Sequence, residues 1–176
     1  MGACACGPGG SSAGGPGPVR TNMQDLQAMI AQHPFFRGLK PEHLALLVEG
    51  ARPVSFQPGE TIAREGEEAR QFYIVLRGKV ELEAYIAPQG QVGFQTIGAG
   101  EALGWSWLFP PFQWHFSARA NEATDTVAWD TATLRAKADA NPDLGYDLAC
   151  RMTQVLHQRL HATHTQLVDF YNPLEW

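Results

Sequence analysis

The sequence predicts an α+β fold in which an antiparallel β-roll is flanked by helices at both ends. About eight short runs of β-branched and aromatic residues lie between residues 52 and 130, separated by Gly- and Pro-containing turns. Apolar side chains recur at helical spacing in residues 22–51 and again in residues 131–171. Short strands at this spacing favour a double-stranded antiparallel β-helix of the jelly-roll type.

The first 20 residues are predicted to be a disordered tail, and residues 21–176 to form one domain. The tail is rich in Gly, Pro, Ser and Ala, and such a tract buries too little apolar area to offset the entropy of ordering it. Cys4 and Cys6 lie in this tail and Cys150 in the C-terminal helical region, which is no disulfide framework. This cysteine usage favours the cytoplasm, and the role of the tail stays open.

Composition and charge exclude two classes of partner. The 176 residues carry a formal net charge of -5, and the basic residues are scattered among acidic ones. Nucleic-acid surfaces need clustered Lys and Arg, so DNA binding is not expected. No apolar run approaches the roughly 20 residues that a membrane span requires, so no membrane insertion is expected.

The predicted elements follow one another in order. Helical spacing starts at Met23, residues 33–38 break it, and Pro41 suits the first position of a second helix. In the strand region, three turn glycines are expected to have positive φ: Gly59, Gly66 and Gly78. Residues 80–86 alternate, which places four side chains on one face of a strand: Val80, Leu82, Ala84 and Ile86.

The C-terminal part is predicted to be helical, with a short helix from Thr131 and a long one from Pro142 to about Tyr171. The long helix would span about 40 Å, more than the roll needs for its own cover. Its apolar stripe consists of Leu144, Leu148, Met152, Val155, Leu156, Leu160, Leu167 and Phe170. A projecting stripe favours a homodimer, and packing within one chain is the alternative.

Three histidines share one face of the long helix: His157, His161 and His164. Their spacing could bind a metal or make a dimer pH-sensitive. A polar flank of an amphipathic helix is the simpler interpretation.

The segment of residues 98–120 is the candidate functional region. It contains three of the five tryptophans and six aromatic residues in all: Trp105, Trp107, Phe109, Phe112, Trp114 and Phe116. Aromatic residues this dense line a pocket, meet a partner or fill a core. We call residues 104–116 the aromatic cassette.

Four motifs resemble the cyclic nucleotide-binding domain of Crp/Fnr-type regulators, over about residues 25 to 170. They are Phe35-Phe36-x-Gly38-Leu39, Phe56-x-Pro58-Gly59-Glu60-x-Ile62-x-x-Glu65-Gly66, Phe72-Tyr73-Ile74-Val75-Leu76-x-Gly78-Lys79-Val80-Glu81 and Gly100-Glu101-x-x-Gly104. The resemblance implies a β-roll sensor. Crp/Fnr transcription factors add a helix-turn-helix domain after the long helix, and we expect none in this sequence.

The resemblance also implies where a nucleotide would bind. In binding members, a Glu after the second Gly bonds the ribose and an Arg about ten residues later neutralises the phosphate. Alignment from Gly104 puts Trp105 at the Glu position, and alignment back from Arg119 puts Trp114 at the Arg position. An unpaired buried phosphate costs several kcal/mol, so tight nucleotide binding is not expected. Two other sources of a cation for the phosphate stay open: a protonated His115, or an Arg119 side chain that points inward.

An enzyme is not expected. Related rolls of the cupin type bind catalytic metals through two or three His and a carboxylate, but His115 is the only histidine between Arg52 and Asp130. No Ser-His-Asp or Cys-His set is discernible, and no metal or other cofactor is predicted, apart from a possible cyclic nucleotide.

The sequence therefore predicts a non-catalytic regulatory module. In one hypothesis the cassette encloses a small ligand more apolar than a nucleotide, and binding shifts the long helix. In another it docks a protein partner. In a third the domain is a cyclic nucleotide receptor with an irregular pocket. The candidate ligand-binding residues are Glu101, Gly104, Trp105, Trp107, Phe112, Trp114, His115 and Arg119, with core packing as the alternative for each aromatic, above all for Trp107.

Overall fold

The computed structural model describes residues 23–171, and the side chains of residues 25–168. The described helices are α1 (Met23–Gln32), α2 (Pro41–Glu49), α3 (Thr131–Ala140) and α4 (Pro142–Tyr171). The described strands are β1 (Arg52–Phe56), β2 (Thr61–Ala63), β3 (Gln71–Arg77), β4 (Val80–Ile86), β5 (Gly90–Ile97), β6 (Ala102–Leu103), β7 (Ser117–Ala120) and β8 (Thr124–Asp130). The predicted tail with Cys4 and Cys6 lies outside these residues.

The strands form two four-stranded antiparallel sheets, in the orders β1-β8-β3-β6 and β2-β7-β4-β5. The two sheets enclose a hydrophobic cluster that we call the roll core. Its larger members are Phe56, Tyr73, Val75, Val80, Leu82, Ile97, Leu103 and Trp114. This arrangement confirms the predicted α+β roll.

A second cluster, the helix core, joins the outer face of the first sheet to the helices. Its larger members are Leu26, Ile30, Phe36, Leu47, Phe72, Ile74, Trp107, Trp129, Leu144, Leu148 and Met152. Successive side chains of a strand point to opposite faces, so Phe72 enters the helix core and Tyr73 the roll core. Both faces of β3 are therefore buried, which explains its continuous apolar sequence.

Positive φ is confirmed at Gly59, Gly66 and Gly78, with values of 83°, 81° and 93°. At Gly78 the neighbours also exclude a side chain, because a Cβ atom would lie 2.5 Å from Thr124 Oγ1. Glycine is thus required there for two reasons, backbone conformation and close approach.

Val80 and Leu82 of β4 enter the roll core as predicted, but Ile86 is not buried. Leu82 pairs with Gln95 but Glu83 pairs with Gly93, so β5 contains one extra residue at this point. The bulge belongs to β5, and Val80 to Glu83 of β4 pair with β7 without a shift of register. Glu83 is buried on the face opposite the roll core, and Ile86, the last residue of β4, is 47% exposed.

The apolar stripe of α4 is only partly covered within the chain. Leu144, Leu148 and Met152 are buried in the helix core, while Leu160 is 71% exposed. His157, His161 and His164 are all exposed, and the described residues contain no group of three or more His, Cys, Asp or Glu that could hold a metal. The side chain of Phe170 lies outside the described set, and dimerisation through the stripe stays a prediction.

None of the described helices is both long and apolar enough to cross a membrane.

Candidate ligand-binding site

Backbone pairing with residues 66–69 holds the aromatic cassette in place. Trp114 N donates to Glu67 O at 2.8 Å, Gly66 N donates to Trp114 O at 2.8 Å, and Ala69 N donates to Phe112 O at 2.7 Å. The cassette begins with a 3₁₀ turn, Trp105–Leu108, entered through Gly104 at a φ of 102°. The C-terminal part of the cassette is therefore fixed to residues 66–69.

Trp114 occupies the roll core directly beneath Gly104. Its side chain is 8% exposed and packs with Tyr73, Leu103 and the alanines of β7. A Cβ atom on Gly104 would lie 2.7 Å from Trp114 Cη2, so the indole ring packs against the glycine itself. An indole thus fills the interior at the position where the resemblance places the phosphate-binding Arg.

Trp107 points to the opposite side, into the helix core. It is 1% exposed and its ring lies 6.2 Å from that of Phe72. A ligand in the roll interior would not touch it, and core packing accounts for this residue. Its carbonyl accepts a hydrogen bond of 3.1 Å from Arg135 Nη1, which ties the cassette to α3.

Trp105 and His115 form the outer layer of the cassette. Their rings are stacked with centroids 4.5 Å apart, and Ser106 Oγ and His115 Nδ1 share a hydrogen bond of 3.0 Å. His115 is exposed, so it does not supply a cation to the roll interior. Phe109 lies edge-on to Trp105 and is 46% exposed. This layer is an accessible aromatic surface.

Phe112 lies at the turn that closes the cassette. Its φ is 60°, which is uncommon for a residue with a side chain, and Phe112 N donates to Phe109 O at 2.9 Å. The guanidinium carbon of Arg135 lies 4.5 Å from the centre of its ring, a cation–π contact. Arg135 therefore ties the cassette to α3 at two points, Trp107 and Phe112.

Arg119 does not point inward. Its neighbours Ala118 and Ala120 are fully buried in the roll core, and the alternation of β7 turns Arg119 to the other face. There its Nε donates to Glu83 Oε1 at 3.0 Å and its Nη1 to Gly59 O at 3.1 Å. This guanidinium is committed to structural contacts, and Glu83 is the buried acid that it neutralises.

Glu101 lies apart from the cassette, at a cavity of about 230 Å³ between α4 and the roll. Its Oε2 accepts a hydrogen bond of 2.6 Å from Gly98 N. Arg151 and Arg159 of α4 line the same cavity, and sequence reasoning did not single them out. A signal existed, because Arg159 follows Met152 and Val155 at the spacing of the apolar stripe.

The eight candidate residues thus divide among separate places. Gly104 and Trp114 face the roll interior, Trp107 lies in the helix core, and Trp105, Phe112 and His115 belong to the cassette surface and its closing turn. Arg119 and Glu101 lie elsewhere. The roll core is lined by apolar side chains and Tyr73, and burial raises the pKa of the Tyr73 hydroxyl, which keeps it neutral. Such an interior suits an apolar group rather than a phosphate.

The sequence comparison defines the class of protein. Residues 53–141, about half of the chain, match the cyclic nucleotide-binding domain family. This chain therefore belongs to that family.

Individual relatives agree. The chain is 30% identical over 145 residues to a CRP-like cAMP-activated global transcriptional regulator of Mycobacterium tuberculosis, covering 82% of this chain and 62% of that protein. A putative cyclic nucleotide-binding protein from Geobacter metallireducens is 27% identical, with a TM-score of 0.67 over 78% of this chain and 97% of that one. The catabolite activator protein of Thermus thermophilus is 25% identical, with a TM-score of 0.61 over 78% and 63% of the two chains.

Proposed function

We propose that this chain is a non-catalytic, cytoplasmic regulatory domain whose roll has lost the family's nucleotide chemistry and responds to a more apolar ligand at the cassette. The M. tuberculosis relative is a cAMP-activated transcriptional regulator, which supports a regulatory role. The observation that carries the proposal is the buried indole of Trp114 beneath Gly104. A phosphate there would meet an apolar ring instead of a guanidinium.

The cassette is in direct contact with α3 and α4. Arg135 of α3 donates to the Trp107 carbonyl and stacks on Phe112, and α4 packs on the Trp105–Leu108 turn. α4 is itself tied to α2 by Lys40–Asp143 at 3.0 Å. A ligand that moves the cassette would therefore shift α3 and α4, and with them the exposed stripe through which we propose that two copies dimerise.

Calorimetric titration with cAMP and cGMP tests the proposal. We expect no saturable binding of either nucleotide at concentrations up to about 1 mM. The reason is that, among the residues that the structure describes, no Lys, Arg or His side chain belongs to the roll core. Nucleosides and fatty acids, titrated while the tryptophan fluorescence is recorded, then search for the apolar ligand. Micromolar binding of a cyclic nucleotide would show that the roll interior rearranges and that the proposal is wrong.

A second candidate function is protein docking at the cassette surface. The exposure of Phe109, next to Trp105 and His115, favours it, because exposed aromatic anchors are typical of interface hot spots. In a pull-down with the immobilised chain, Phe109→Ser should abolish binding of the protein partner without changing the melting temperature of the chain. If Phe109→Ser leaves the amount of bound partner unchanged, the partner does not bind through Phe109.

A further inference from the structure

A cavity between α4 and the roll lies apart from the aromatic cassette. Its volume is about 230 Å³, and its walls come from α4, the Pro34–Phe36 turn, β5 and the turn before β6. A water molecule takes about 30 Å³, so the space admits an oxyanion attached to a few carbon atoms. The cassette contributes none of its lining residues.

Two guanidinium groups of α4 line this cavity, and each uses only part of its five N–H groups in hydrogen bonds. Arg151 donates from Nη1 to Phe35 O and from Nη2 to Arg37 O, the latter at 2.9 Å. Arg159 donates from Nη2 to Ala102 O. The Nε atoms of both residues are buried and have no partner in the part of the chain that the structure describes. The terminal nitrogens of the two guanidiniums also keep N–H groups that make no hydrogen bond within the described residues, and these can meet an acceptor in the cavity.

The charge of the two groups is also unbalanced. Neither guanidinium forms an ion pair with a carboxylate of residues 25–168, although the protein is acidic overall. Burial lowers the pKa of Arg159 and the charge of Glu101 opposes that shift, but a guanidinium remains charged at neutral pH. Glu101 is the one acid that lines the cavity. Buried cations normally have an anionic partner.

We propose that this cavity binds a small anion, through a phosphate or carboxylate group that accepts hydrogen bonds from the guanidinium groups of Arg151 and Arg159. Guanidinium groups suit both anions because they offer charge and directed donors together. The amides of Gln95 and Gln158 also line the cavity and are available to the rest of the molecule. Because the site joins α4 to the turn before β6, its occupancy holds α4 against the roll.

This inference does not rest on the proposed function of the cassette. An anion at this cavity and an apolar ligand at the cassette contact different residues. Because a cyclic nucleotide also carries a phosphate, the titration described above is repeated with Arg151→Gln. Nucleotide binding that this variant loses belongs to the cavity, and binding that it keeps belongs to the roll interior, so either proposal can fail alone.

The test measures thermal unfolding of the full chain in inorganic phosphate, in succinate and in NaCl at matched ionic strength. We expect one of the oxyanions to raise the melting temperature beyond NaCl, because a ligand that binds only the folded state stabilises it. A response to phosphate identifies a phosphoryl source of the ligand, and one to succinate a carboxylate source. Calorimetry then gives the Kd of the active anion.

Three variants separate specific binding from a general salt effect. Arg151→Gln should weaken the Kd at least tenfold, whereas Arg64→Gln, a change of a surface cation that is 69% exposed, should leave it unchanged. Glu101→Gln keeps both guanidiniums and removes the opposing charge, so it should tighten the Kd severalfold even if the arginine variant is unstable. The proposal is overturned if neither anion stabilises the chain beyond NaCl, or if Arg64→Gln matches Arg151→Gln.

Discussion

Replacing Trp114 with Ala tests whether this indole fills the roll. The side chain is 8% exposed, and a tryptophan buries about 150–250 Å² on folding. At about 25 cal/mol per Å², loss of most of that area costs about 3–5 kcal/mol, which agrees with measured costs of Trp→Ala changes in cores. We therefore expect Trp114→Ala to lower the free energy of unfolding by about 3–5 kcal/mol.

Urea denaturation followed by far-UV circular dichroism measures this difference. Trp105→Ala is the matched control, because that ring belongs to the same cassette but is only partly buried and stacks on an exposed histidine. Trp105 packs against the helix core from a partly buried position, so its loss should cost about 1–2 kcal/mol, less than the loss of Trp114. If Trp114→Ala lowers the free energy of unfolding no more than Trp105→Ala does, the indole does not fill the roll interior. The argument that Trp114 excludes a nucleotide from that interior would then be wrong.

Two further predictions concern a turn and a buried histidine. Gly104→Ala should cost about 1–3 kcal/mol more than Gly59→Ala in urea denaturation, because both glycines have positive φ but only at Gly104 would a Cβ atom press on Trp114, 2.7 Å away. Equal costs would contradict that packing. Burial lowers the pKa of His33 below its ordinary 6.5, so the unfolded chain binds this proton more tightly and acid destabilises the fold as pH falls through 6.5. The drop in melting temperature between pH 7.5 and 5.5 should be smaller in His33→Asn, which keeps a capping acceptor, and an unchanged drop would exclude His33 as the cause.

Much of the fold was predictable from local signals in the sequence. Gly59 and Gly78 mark turns because positive φ is cheap only for glycine, and the structure confirms both. The alternation of residues 80–86 predicted a strand with Val80 and Leu82 facing inward, but neither the exposure of Ile86 nor the bulge in the partner strand β5. A bulge depends on how β5 pairs with β4, and no pattern within β4 records the extra residue in its partner.

The sequence by itself determined the family, the roll and the concentration of aromatic residues in the cassette. Only the tertiary structure decided that Trp114 enters the roll core while Trp107 enters the helix core. Helical and strand periods record local backbone geometry, but the cassette has no regular period. Its side chains are oriented by long-range pairing with residues 66–69 and by Arg135. The cavity of Arg151 and Arg159 likewise exists only once α4 lies against the roll, because its walls come from segments more than 100 residues apart.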